Sequence, residues 1–178
     1  MEPNEKRKVV FEKEDAFKTL ELTNGWIGSM DTKASFLLAY LAVVMGFVVS
    51  NGLPSIFKLP VPKPLTTHYI AAVICVIALY LFLVFAVISL LETLIARTKN
   101  NSDRKSMLFF GEIATLSLND FKAKILNRTE DELIKDLLEQ VHTNSEICVK
   151  KSAYYNWGVR STFLSTVLYI ACMLLEVF

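Results

Sequence analysis

Two long apolar runs lie in the first half of the chain. Residues 69–91 carry no charged side chain, and a helix of about 20 apolar residues crosses the hydrocarbon core of a membrane. Residues 34–57 are also uncharged, but an Asn-Gly-Leu-Pro sequence that begins at Asn51 interrupts that run. The pattern predicts transmembrane helices over residues 34–50 and 69–96.

A third apolar run occupies residues 159–178. Its charges lie near its two ends, at Arg160 and at Glu176. Charged side chains at helix ends can reach the membrane interface while the helix between them stays in the hydrocarbon. We therefore predict that this run forms a third transmembrane helix.

The segment before the first span, residues 1–33, has the pattern of an amphipathic helix. Apolar residues recur there at intervals of three and four among charged neighbours, as they do on one face of a helix. We expect a break in this helix at Asn24 and Gly25, just before Trp26. The apolar face comprises Val9, Phe11 or Ala16, Phe17, Leu20, Leu22 and Ile27.

The connection between the first two spans, residues 51–68, contains four of the five prolines of the chain. Proline has no backbone N–H group and cannot continue a helix or a sheet ladder. The sequence therefore predicts a tight, irregular loop on the outside of the membrane.

Residues 97–158, between the second and third spans, are predicted to be helical. Ser117 precedes a short helical pattern as an N-terminal cap, and Thr129 with Glu132 forms a capping box, in which each side chain bonds the other residue's backbone amide. No proline or glycine follows until Gly158, so this last helix is expected to run unbroken into the third span. One stripe along it carries Leu133, Leu137, Val141 or Gln140, Asn144, Ile147 and Lys151.

Lysine and arginine are distributed unevenly around the spans. Residues 1–33 carry six and residues 97–158 carry ten, whereas the loop over residues 51–68 carries only Lys58 and Lys63. Since segments rich in lysine and arginine stay on the cytoplasmic side, both charged segments are predicted to be cytoplasmic. We expect a multi-pass membrane protein with its N-terminus in the cytoplasm.

Several function classes are disfavoured by composition and motifs. Acidic residues balance the basic ones, with nine against ten in residues 97–158, so no basic surface for nucleic acid is expected. The three cysteines form no CxxC motif and only two histidines are present, which argues against a structural metal or a disulfide framework. The sequence contains no P-loop, HExxH or GxSxG motif, so we expect neither an enzyme nor a cofactor.

Polar and aromatic residues near the predicted membrane boundary suggest a ligand that carries a phosphate. Lys150 and Lys151 lie about two helical turns before the third span, and Asn144 interrupts an apolar stripe. A cationic, hydrogen-bonding rim beside an aromatic side chain such as Trp26 or Tyr154 suits such a ligand. A purely structural role stays open for each of these residues. The lysines and the tryptophan could be interfacial anchors, and the asparagine could pack one helix against another.

Three motifs, in this order and spacing, resemble a known family. Trp26-Ile-x-x-x-Asp31-x-Lys33-Ala-Ser35 opens the first span, Phe109-Phe110-Gly111-x-Ile113 follows the second, and Asn144-Ser-x-Ile147-x-x-Lys150-Lys151 precedes the third. Together they resemble the transmembrane effectors of the Pycsar antiphage systems. The resemblance implies that a partner cyclase makes cyclic CMP or cyclic UMP on infection. It also implies that the effector senses this messenger and impairs the bacterial inner membrane in an abortive infection.

The resemblance also implies where the messenger would bind. The sequence has no recognisable β-fold for a cyclic nucleotide, so the site is expected in the helical cytoplasmic part, at an interface between subunits of a homo-oligomer. We expect Lys150 or Lys151 at the cyclic phosphate, Phe110 or Trp26 against the base, and Asn144 or Asp31 at the polar edge of the base. The expected ligand residues are Trp26, Asp31, Lys33, Phe110, Asn144, Lys150 and Lys151.

Two other classes of function stay open on the sequence. One is a constitutive membrane scaffold whose cytoplasmic helices recruit another protein. The other is a pore subunit gated by a protein partner, with no nucleotide ligand. The predicted spans lack a central ionisable residue, which argues against a transporter with an ion path.

Overall fold

The computed structural model describes residues 12–58, 62, 64, 66–95 and 106–178. Within these ranges all regular secondary structure is helical, which confirms the predicted all-α fold. Val9, Phe11, Lys63 and residues 97–105, on which parts of the predictions rest, lie outside the described residues. The helices are α1 Lys13–Ser50, α2 Ser55–Lys58, α3 Thr67–Leu94, α4 Phe110–Ile113, α5 Leu118–Leu126 and α6 Glu130–Leu174.

Three helices, α1, α3 and α6, are each long and apolar enough to cross a membrane. This confirms the prediction of three membrane-spanning helices. The last helix passes through Gly158 without a break and ends at Leu174, so the expectation of one helix that continues into the third span is also confirmed.

The predicted break at Asn24 and Gly25 is wrong, because α1 is a single helix from Lys13 to Ser50. One glycine in a helix costs only about 1 kcal/mol relative to alanine. The hydrogen bonds of the turns on either side outweigh that cost. The segment 51–68 is likewise not wholly irregular, since it contains the helical turn α2.

The chain divides into two compact units, and the apolar unit comprises the described residues of 28–95 and 150–178. Buried residues of α3 are spaced alternately by four and three, which is the spacing of a heptad seam. Ala34, Leu41, Val44 and Val48 of α1 belong to the same buried cluster. The α3 residues of this seam are Ala72, Val76, Leu79, Leu83, Ala86 and Leu90.

Several of the buried residues of α6 in the apolar unit are small. Ser161, Thr162 and Ser165 are almost completely buried, and the Thr162 hydroxyl donates to the Gly158 carbonyl of its own helix at 2.8 Å. A β-carbon placed on Gly158 would lie 2.6 Å from Cδ2 of Leu90. Small residues of this kind allow membrane helices to approach closely.

Large apolar side chains cover the outside of the apolar unit. Phe36 of α1 is 73% exposed, Leu81 of α3 is 65% exposed and Phe163 of α6 is 68% exposed. Such a surface on all three helices would be unfavourable in water but suits contact with lipid acyl chains. The apolar unit therefore has the surface of a membrane-embedded bundle.

The polar unit comprises the described residues of 12–27 and 106–149. Here α1 and α6 lie side by side in parallel, since Lys13 pairs with Glu130 at 3.7 Å and the Asn144 side chain donates to Asn24 at 2.7 Å. The interior is small and largely polar. Its most buried residues are Ala16, Thr23, Ser106, Asp136, Leu137, Gln140 and Thr143.

Both predicted helix caps in the polar unit are confirmed. Ser117 accepts a hydrogen bond from the Asp120 amide at the start of α5. The Thr129 amide donates to the Glu132 carboxylate at 3.0 Å, and the Glu132 amide donates to the Thr129 hydroxyl at 3.3 Å. The reciprocal bonds of this capping box fix the start of the long helix α6.

The capping box predicts a small dependence of stability on pH. The Thr129 amide and hydroxyl stabilise the ionised form of Glu132, so the pKa of its carboxyl lies below the ordinary value of 4.5. A depressed pKa adds stability above the unfolded-state value, and that stability is lost as the pH falls through the lower folded-state value. We expect Glu132→Gln to remove this loss below about pH 4.5. Unfolding temperatures of both proteins, measured from pH 7 downwards, check this, and parallel curves would contradict it.

Candidate functional site

Asp31 and Lys151, both expected ligand residues, meet in the apolar unit. The Lys151 ammonium of α6 lies 2.6 Å from Oδ1 of Asp31 on α1. The lysine side chain is 5% exposed, whereas the aspartate side chain is 36% exposed. The pair therefore connects a buried cation to a carboxylate that still reaches the surface.

The same ammonium binds the end of the third helix of the apolar unit. Lys151 Nζ donates to the carbonyl oxygen of Thr93 at 2.6 Å, one residue before the end of α3 at Leu94. The last carbonyls of a helix have no partner within it, and a positive charge there is favoured by the helix dipole. One side chain thus binds α1, α3 and α6 together.

We call this arrangement the lysine junction (Asp31, Thr93 and Lys151). It holds a buried positive charge that depends on one counter-ion. Two of the three ammonium hydrogens are used by protein acceptors. If Asp31 is removed from Lys151, a buried positive charge loses its counter-ion, which is far more costly than the loss of an exposed ion pair. Opening the Asp31–Lys151 pair without supplying another counter-ion is therefore strongly unfavourable.

The other expected ligand residues are distributed over both units. In the polar unit Trp26 is 61% exposed and Phe110 is 65% exposed, and the Phe110 ring contacts Phe109 with centroids 4.9 Å apart. Asn144 is occupied by its hydrogen bond to Asn24. Trp26, Phe110 and Asn144 make no hydrogen bond or ring contact with one another. Their roles as ligand contacts stay predictions.

Lys33 and Lys150 both belong to the apolar unit, and both are exposed. Lys150 is the immediate neighbour of Lys151, yet the two side chains have opposite environments, since the helix turns by about 100° per residue. Of the two adjacent lysines, Lys150 is the one with an accessible ammonium in this structure.

Two residues that bond the expected ligand residues, Thr93 and Asn24, are not among the predicted site residues. Thr93 acts through its backbone carbonyl, which carries no signal in the side-chain pattern. The sequence predicts Asn24 as a helix breaker, whereas its side chain accepts a hydrogen bond from Asn144. The burial of Lys151 could have been predicted from the sequence, because Lys151 lies on the same helical stripe as Leu137, which is also buried.

A family model and two curated proteins that are similar to this chain all point to the same family. Residues 15–177 match the family model for the Pycsar effector protein domain. A Pycsar effector protein of Gulbenkiania mobilis is 35% identical, over 89% of each chain. A second, from Propioniciclava tarda, is 27% identical over 83% of this chain and 70% of its own length. No solved structure matches the chain significantly.

Proposed function

Because the chain belongs to the Pycsar effector family, we propose that it is an antiphage effector that senses cyclic CMP or cyclic UMP and then impairs the inner membrane. The observation that carries this proposal is the lysine junction, which ties together three helices that are each able to span a membrane. A device of this kind can couple an event at the membrane surface to the packing of the spans.

The membrane setting of the proposal rests on the three apolar helices. We place both the N-terminus and the segment between the second and third spans in the cytoplasm. Lysines and arginines concentrate in these two segments, whereas the described part of the connecting loop carries only Lys58. This orientation puts the polar unit in the compartment where a cyclase would release its product.

Coupling requires that the messenger bind two arrangements of the protein with different affinity. We assign Asp31 and Lys151 to this coupling role, since the ammonium is already bound by two acceptors at 2.6 Å. The exposed Trp26, Phe110 and Lys150 are the expected residues whose side chains are available to a ligand. The effector acts without a catalytic step.

We also propose that the effector works as a homo-oligomer. The polar unit buries few large apolar side chains, and Leu22, Phe110, Leu118 and Leu126 are each more than half exposed. These side chains lie outside the apolar unit, so contact with lipid does not account for them. Contact with copies of the chain would cover them and would allow several bundles to rearrange together.

The sensing step is tested by calorimetry on the detergent-purified full chain. We expect saturable binding of cyclic CMP or cyclic UMP and none of cyclic AMP at the same concentrations. Absence of pyrimidine binding by protein with a cooperative unfolding transition would contradict nucleotide sensing. It would favour a scaffold or a pore subunit gated by a protein partner.

A further inference from the structure

The polar unit contains a cleft that the expected ligand residues do not line. Its volume is about 260 Å³. Met107, Glu132, Asp136 and Glu139 form part of its wall, and three basic residues complete it: Lys124, Arg128 and Lys135. The cleft therefore combines cations with carboxylates in a small space.

Asp136 is the most buried residue of this wall, with 8% exposure. Its Oδ2 atom accepts hydrogen bonds from Arg128 at 2.6 Å and from the Met107 amide at 3.0 Å. Its Oδ1 atom is buried and has no hydrogen-bond partner among the described residues. A buried acceptor left without a donor costs free energy, and Asp136 is the residue of the cleft wall that carries such an acceptor.

The basic residues of the cleft are not equivalent. Arg128 is neutralised by Asp136 at 2.6 Å. Lys124 and Lys135 are exposed, and neither forms an ion pair within the described part of the chain. The Glu132 carboxylate accepts from the Thr129 amide of the capping box. Two lysines in a cleft wall that also holds an unsatisfied acceptor suit a ligand that carries both an anionic group and a hydrogen-bond donor.

We propose that this cleft binds the cyclic pyrimidine nucleotide, and that it prefers cyclic CMP to cyclic UMP. The inference rests on the proposed function. The cyclic phosphate lies against Lys124 and Lys135, and the exocyclic amino group of cytosine donates to Oδ1 of Asp136. Uracil presents a carbonyl oxygen where cytosine presents this amino group, so a carboxylate oxygen there attracts cytosine and repels uracil.

The size of the cleft supports a small base. Small-molecule sites in proteins commonly have volumes of about 300–1,000 Å³, and this cleft lies just below that range at about 260 Å³. Adenine also carries an exocyclic amino group, but its two rings need more room than the single ring of cytosine. A single-ring base therefore suits a cleft of this volume better than a two-ring base does.

The deciding variant is Asp136→Asn, which keeps the shape of the side chain. Its carbonyl oxygen can still accept from Arg128 and Met107, while its NH₂ group replaces the free acceptor. We expect the Kd for cyclic CMP to rise by about tenfold or more, and the Kd for cyclic UMP to fall. The readout is the ratio of the two Kd values, because a partial loss of folded protein affects both measurements equally and leaves this ratio unchanged.

A second variant tests the phosphate contacts. Lys124→Ala combined with Lys135→Ala should weaken binding of both nucleotides by about tenfold or more and reduce its dependence on salt. Lys122→Ala is the matched control, since Lys122 is an exposed lysine of α5 outside the cleft wall. It should leave both Kd values unchanged.

The outcomes separate this inference from the proposed function. If the wild-type chain binds neither pyrimidine nucleotide, nucleotide sensing itself is contradicted. If it binds them and both cleft variants leave the Kd values within about twofold, the cleft is not the site and sensing stands. In that case Lys150→Ala, measured in the same series, tests the predicted phosphate contact near the membrane.

Discussion

Replacing Asp31 with alanine should destabilise the protein by about 3 kcal/mol. The change leaves the Lys151 ammonium, with its side chain only 5% exposed, without a counter-ion. Breaking a buried ion pair from one side costs about 3–5 kcal/mol. We expect the lower end of that range because Asp31 is 36% exposed, so water can enter and solvate part of the freed charge. Thermal unfolding in detergent measures the effect.

Two further variants test whether the loss comes from the buried charge. Lys33→Ala removes an exposed lysine two residues along the same helix and should change stability by less than about 0.5 kcal/mol. The double variant with Asp31→Leu and Lys151→Met replaces the ion pair by apolar side chains and should recover most of the loss. An Asp31→Ala protein as stable as the wild type would show that the lysine junction does not hold the helices.

Replacing Gly158 with alanine should cost about 2 kcal/mol, although alanine is the better helix former. The added β-carbon would lie 2.6 Å from Cδ2 and 2.8 Å from Cγ of Leu90. Leu90 is completely buried, so it can move only by displacing its neighbours. Overpacking of this kind costs about 1–3 kcal/mol, and Gly158→Leu should be worse. The unfolding temperature in detergent reports both changes.

The matched controls are glycines of α1 in the same apolar unit. A β-carbon on Gly28 or Gly46 meets no atom within 4 Å. Alanine at either position should therefore stabilise the helix by about 0.5–1 kcal/mol. Equal effects of alanine at Gly158 and at Gly46 would contradict close packing of α6 on α3.

Local signals account for the parts of the fold that the sequence predicted well. Uncharged runs of about 20 residues fix the spans because a membrane offers no partner to exposed backbone groups. The Thr129–Glu132 capping box needs only residues three apart, so its bonds could be predicted from the spacing. The absence of breakers after Thr129 likewise predicted one long helix.

Contacts beyond the three- and four-residue spacing of a helix face account for most of what the sequence did not predict. Asp136 is paired with Arg128 across eight positions, beyond the three- and four-residue spacings of a helix face. The sequence predicts Lys151 as a phosphate contact or an interfacial anchor, whereas its burial depends on Asp31 and on the end of α3. The helix break expected at Gly25 failed because tertiary context overrides a local preference of about 1 kcal/mol.

Leakage of reconstituted vesicles tests the central claim most directly. The purified chain is inserted into vesicles of phosphatidylethanolamine and phosphatidylglycerol that contain a self-quenched dye. We predict rapid dye release when cyclic CMP or cyclic UMP is added, and none with cyclic AMP or without nucleotide. Leakage that is equal with and without a pyrimidine nucleotide, or no leakage despite measured binding, would contradict a nucleotide-triggered membrane effector.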